Sequence, residues 1–253
     1  MNDAAEGPFT HSEILALLAK VRGTLRSERL LGPSFHLRDL RIEPDGSLVL
    51  DGEVNSVAAK KLALEHVAAV APSVTCIVDR LHVRPAASMS DKEIRLHVRN
   101  ALIAETGLRA LEIFERDGDT CQLMRGVPTG SAGAIEYDVA DGIVVLNGRV
   151  PGLSSKRLVG VFAWWVPGVR DVFNGLEVDP PEDDSPDLII EAVRAVLDRD
   201  PFVNACQIGV GATETRVHLT GLVPNETERA AAERDAWLIF GVDDVVNDIK
   251  VQP

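Results

Sequence analysis

The sequence predicts an α+β protein made of three tandem αββαβ modules, each with two helices packed on a three-stranded mixed sheet. Three observations carry this reading. A glycine-centred strand occurs three times, as Ser47–Val54, Ile143–Val150 and Arg216–Val223. A second apolar pattern follows each glycine by about 21 residues. Stretches with helical apolar spacing fill the intervals before and between these patterns. Self-similarity of this kind marks one structural unit written repeatedly.

The glycine strand alternates apolar residues around its glycine: Leu48, Leu50 and Val54 around Gly52; Val144, Leu146 and Val150 around Gly148; Val217, Leu219 and Val223 around Gly221. Period two means a strand with one buried face. Each glycine falls on that face, where the missing side chain admits a neighbouring helix or backbone. The later pattern places Val74, Ile77, Leu81 and Val83 in register with Val169, Val172, Leu176 and Val178, and with Val242, Val245, Ile249 and Val251. Each copy starts as a turn and ends as a strand.

The helix between the strands pairs Leu64 with Ala68, Val159 with Ala163 and Ala232 with Ala236, so one face meets the sheet. Asn225 with Glu228 has the form of a capping box, and Asn55 and Ser154 are the expected caps of the other copies. An earlier helix is read from Ile14, Leu17, Leu18, Val21 and Leu25, from Ile94, Val98 and Leu102, and from Ile189, Val193, Val196 and Leu197. The turns Asp45-Gly46 and Asp141-Gly142 join a further strand to the first two glycine strands.

The modules are therefore expected at 10–85, 89–180 and 184–253. Linkers fall at Arg84–Ser88 and Pro180–Pro186, where proline and acid oppose regular structure. Gly148 precedes Gly221 by 73 residues but follows Gly52 by 96, so the second module holds an insertion at about 107–134. It reads as a loop or hairpin in which Leu111–Phe114 adds a strand.

Net charge is −13, unevenly spread. Residues 12–85 hold ten basic and nine acidic side chains, 89–180 hold ten and 13, and 182–253 hold six and 15. The last third would repel nucleic acid and anionic lipid, whereas the first carries Lys20, Arg22, Arg26 and Arg29 on one helix. A phosphate-facing surface is expected there, and no nucleic-acid partner. The acidic start and the lack of a long apolar run place the chain in the cytoplasm as written, or in the periplasm if the N-terminus is incomplete. Cys76, Cys121 and Cys206 fit neither a disulfide framework nor a zinc site and are expected to be reduced and buried.

No catalytic pattern emerges. Gly126–Gly133 lacks the Gly-Lys-Ser/Thr ending of a phosphate-binding loop and reads as a flexible insertion. The six histidines show no metal-ligand spacing, and Asp183-Asp184 and Asp243-Asp244 read as solvating or capping groups. No catalytic residue, metal or cofactor is expected, and the chain reads as a non-enzyme. Trp164 and Trp237 recur at matching positions beside Ala163 and Ala236. They suit either a membrane or partner surface, or the cover of a core edge or inter-module contact; Trp165, with aliphatic counterparts Val70 and Leu238, suggests packing.

A glycine-centred strand, a helix, and a Gly-Val-x-x-Val-x-Asn strand entry together resemble the BON domain. Gly168-Val169 with Val172 and Asn174, and Gly241-Val242 with Val245 and Asn247, match it; the first copy departs, with Ser73 and Asp79 at the glycine and asparagine positions. The resemblance implies an adhesive, non-catalytic domain of bacterial envelope proteins, linked to phospholipid contact and osmotic-shock protection and often exported. It makes a phospholipid or membrane surface the expected partner, with a protein-interaction scaffold, through a protein partner or self-association, as the alternative.

Overall fold

The computed structural model describes residues 8–28, 31–32, 35–128 and 130–252. The chain forms two compact units, Met1–Arg84 and Pro85–Pro253.

In the first unit, α1 (His11–Ser27) precedes strands β1 (His36–Ile42) and β2 (Leu48–Val54), helix α2 (Val57–Val70) and strand β3 (Ile77–Val83). Thr10 and Glu13 close a capping box that starts α1. The sheet order is β1-β2-β3, with β1 antiparallel and β3 parallel to the central β2. Val21 and Leu25 of α1 and Ala63 and Val67 of α2 cover Leu48, Leu50 and Leu81 of the sheet in one core.

The second unit repeats that plan twice. Its first half runs α3 (Asp91–Ala104), β4 (Leu111–Asp117), β5 (Thr120–Arg125), β6 (Gly133–Ala140), β7 (Ile143–Val150), α4 (Leu153–Trp164), β8 (Asp171–Asn174) and β9 (Glu177–Val178). Its second half runs α5 (Pro186–Leu197), β10 (Ile208–Thr213), β11 (Arg216–Val223), α6 (Glu226–Leu238) and β12 (Asp244–Val251). The order β10-β11-β12, antiparallel then parallel, reproduces the first unit's sheet. The predicted α+β class and repeated αββαβ unit are present in all three copies.

The second copy exceeds the expected three strands. Its sheet runs β5-β4-β6-β7-β8, and β9 also pairs with β7. The insertion is a hairpin, β4–β5, and β4 lies parallel to β6 with Ile113 opposite Ile135. Alternation explains the addition: Leu111, Ile113 and Glu115 turn inward, and α3 and β6 supply the wall they cover. Arg125 pins the hairpin back, its guanidinium donating to the carbonyls of Leu102 and Ile103 at the end of α3 and of Leu108 and Leu111 beyond it.

Two of the expected caps shift. Ser56 rather than Asn55 caps α2. Gly152 rather than Ser154 precedes α4, and the Glu182 carboxylate accepts from Leu153 N at 2.7 Å in place of a local cap. Asn225 caps α6 as expected, but the Glu228 carboxylate accepts from Asn204 N at 2.8 Å instead of closing the box. All three cysteines are free and exposed, contrary to the expected burial. Cys76 precedes β3, Cys121 lies on the hairpin and Cys206 lies in the turn before β10, all outside the core-facing rows.

The repeated glycines meet a backbone carbonyl at or just before the start of the preceding strand, not one of the packed α-helices. A Cβ on Gly52, Gly148 or Gly221 would lie closer than 3.0 Å to the carbonyl oxygen of His36, Ala134 or Gln207 respectively. Gly52 is buried but Gly148 is exposed, so the shared property is backbone approach and not burial. Gly148 and Gly221 also hold φ of 117° and 138°, a region that side chains avoid. Gly148→Ala and Gly221→Ala should therefore each destabilise by more than about 2 kcal/mol. Gly211→Ala, whose Cβ meets nothing within 4 Å, should change stability by less than about 0.5 kcal/mol; urea unfolding curves check all three.

Candidate functional site

The basic residues expected on the first helix are partly gathered into a groove between α1 and β1. Arg22 and Arg26 stand one helical turn apart, exposed, with Leu25 buried between them. Across the groove, of about 290 Å³, lie His36, Arg38 and Phe35, and Leu25 and Leu40 form its floor. Lys20 is exposed but does not line the groove, and Arg29 lies outside the described residues. Arg38 and His36 are not marked by the sequence: their alternation on β1 is ordinary, and only the packing of α1 beside that edge strand brings them near Arg22.

The groove's cations are unequally committed. Arg38 pairs with Glu53 on β2 and stays nearly half exposed. Neither Arg22 nor Arg26 has an ion pair among the described residues. Their charge is thus available to an external anion, with an apolar floor beneath that suits a ligand carrying both phosphate and hydrocarbon.

The tryptophans belong to the second unit. Trp164 is partly buried against the core of the first half. Trp237 is 5% exposed, so it offers no outward surface. Trp165 joins the two halves: it packs against both cores, and its Nε1 donates to Asp235 Oδ1 at 3.0 Å. The same seam holds the fully buried Arg157, which donates to the Phe240 carbonyl at 2.8 Å and pairs with Asp184, and Arg199, which pairs with Glu105 at 3.0 Å. Arg199's hydrogen bonds hold the Glu105 carboxyl below its usual range.

Asp235 is the seam's unusual group. It is 0% exposed, and burial pushes its pKa up to about 7, with the neighbouring Asp200 adding to the shift while Trp165 opposes it. Neutral Asp235 is therefore the form that folding favours. Because the folded value lies above the ordinary 3.8, this contribution is complete below pH 3.8 and disappears as pH rises through about 7. Wild-type stability should fall across that window by at most about 1.4 kcal/mol per pH unit. Asp235→Asn, which keeps an acceptor for Trp165, should flatten the dependence; melting temperatures from pH 5 to pH 8 read the difference.

The pattern of matches to known proteins follows the second unit. Residues 124–180 and 185–253 match the family model described as BON domain. No curated protein matches the chain. Among solved structures, the chain is similar to the C-terminal domain of CdsD, the structural protein of the type III secretion system of Chlamydia trachomatis, at 12% identity over 94% of this chain and 98% of that chain, with a TM-score of 0.25. A second structure of CdsD from Chlamydia trachomatis is 14% identical over 94% and 93% of the two chains, with a TM-score of 0.24. Scores of this size do not make two chains the same fold. The two matched segments each hold the glycine strand, the following helix and the parallel strand that closes the sheet, and through them the chain belongs to the BON domain family.

Proposed function

We propose that this protein is a non-catalytic binding protein that associates with phospholipid surfaces through its first unit, in a role of the envelope or osmotic-stress type. The observation that carries the reading is the groove of Arg22, Arg26, His36 and Arg38 over Leu25 and Leu40. Two arginines that have no ion pair among the described residues can each hold two phosphate oxygens bidentately, and Leu25, Leu40 and Phe35 offer contact to the first methylenes of an acyl chain. Membership of the BON domain family supports the same direction.

Surface association, not insertion, is the mode. Among the described residues no helix is long and apolar enough to cross a membrane. Each basic side chain near an anionic leaflet contributes about 1 kcal/mol, so a pair gives a weak and salt-sensitive attachment. The acidic 182–253 segment, with 15 acidic against six basic residues, would oppose close approach of its own surface.

Co-sedimentation of the full chain with vesicles tests this. Binding is expected to vesicles containing phosphatidylglycerol at low salt, to weaken about tenfold or more in the double variant Arg22→Glu, Arg26→Glu, and to be absent with phosphatidylcholine alone. Equal sedimentation of wild type and double variant would remove the groove from the account.

A further inference from the structure

The two halves of the second unit differ at one edge. Helices α3 and α5 bury Ile94, Val98 and Leu102, and Ile189, Val193 and Leu197, at matching places, so Arg99 corresponds to Arg194. Strands β6 and β10 correspond likewise: Ile135 and Tyr137 face Gly148 and Leu146, and Ile208 and Val210 face Gly221 and Leu219. In the first half, β4 fills the outer edge of β6 in parallel, with Ile113 opposite Ile135 and Glu115 opposite Tyr137. Arg99 Nε donates to the Glu115 carboxylate at 2.8 Å, and the Tyr137 hydroxyl donates to it as well.

In the second half no strand among the described residues occupies that place, and β10 ends the sheet. Arg194 is exposed and, among the described residues, reaches the Val210 carbonyl at 3.5 Å, which marks that carbonyl as lying on the open side of the strand. Ile208 and Val210 retain 8% exposure each, whereas Ile135 and Tyr137, beneath β4, have 0%. The other outer strands are guarded. A register shift and the charges of Arg38, Asp39 and Arg41 interrupt β1; Asp79 and Arg80 stand on β3; a register shift breaks the pairing of β5; β8 and β9 are short; Asp244, Asp248 and Lys250 stand on β12. Strand β10, Ile-Gly-Val-Gly-Ala-Thr, has a continuous register and neither charge nor proline.

We propose that the β10 edge binds an extended segment of another protein, of the form apolar-x-apolar-x-Glu, which adds as a parallel strand and places its glutamate on Arg194. Backbone hydrogen bonds to β10 supply the affinity, and the inward apolar pair and the carboxylate supply selection. Within this chain the pattern is that of Leu111, Ile113 and Glu115. In a second copy that segment already has β5 on one side and β6 on the other, so the occupant comes from a different protein. This site is separate from the groove of the first unit, and either can fail without the other.

The test uses the full chain and a fluorescein-labelled peptide with the sequence of Arg109–Asp117, followed by anisotropy. Saturable binding is expected, weakened about tenfold or more by Arg194→Glu and restored to within about threefold when that variant meets the peptide carrying Glu115→Lys. Arg194 is exposed, so the variant should keep its circular dichroism. Gly211→Lys, at a position where an added Cβ meets nothing within 4 Å, puts a charge on the same strand and should weaken binding by a second route. No saturable binding to wild type, or a loss in Arg194→Glu that the Lys peptide does not rescue, overturns the proposal. A dimer of the chain alone that Arg194→Glu dissolves would assign the edge to a second copy, and would overturn it too.

Discussion

Each module depends on one backbone contact, in which a carbonyl at or just before the start of the preceding strand lies against a glycine of the central strand. Gly52, Gly148 and Gly221 hold that place opposite Leu37, Ile135 and Ile208. The contact fixes the antiparallel register, and register decides which side chains face the helices, since a one-residue slip would turn every apolar residue outward. With the central strand set, the returning strand joins its other side in parallel, as strands separated by a helical crossover do.

The return is secured by a polar device that also repeats. Asn174 and Asn247 each accept from a backbone N–H two residues on, that of Leu176 or Ile249, and donate to a carbonyl of the preceding helix, that of Lys156 or Arg229. In the first unit the Asp79 carboxylate accepts from Leu81 N at 2.9 Å but, unlike the asparagine amide, has no N–H to donate. Lys60 takes over the helix side, its Nζ at 3.0 Å from Asp79. A sequence departure from the family pattern thus keeps the geometry through an ion pair in place of an amide hydrogen bond.

Once the unit is fixed, the copies are free to differ at their edges and in their charge. The first gathers arginines over an apolar floor, the second spends its insertion on covering β6, and the third leaves β10 uncovered. What was legible in the sequence follows from period: the glycine strands, both helices of each copy and the strand within Leu111–Phe114 all rest on alternation or on three-to-four spacing. What was not legible depends on contacts between distant segments. Nothing near Asp235 marks it as buried against Trp165, 70 residues away, and nothing near Arg38 announces Arg22. The cap of α4 is illegible in the sequence for the same reason, because its acceptor, Glu182, comes from 29 residues beyond Leu153. Cys121 is exposed because hairpin β4–β5 turns it outward.

The first unit lies outside the segments that match the family, so the threefold recurrence of one building unit is decided there. Amide hydrogen exchange of the full chain, resolved by residue, addresses it directly. Slow exchange is expected along all three central strands, with Leu50, Leu146 and Leu219 among the most protected amides and the outer rim of β10 among the least. Rapid exchange throughout residues 36–83, beside protection confined to the second unit, would contradict it.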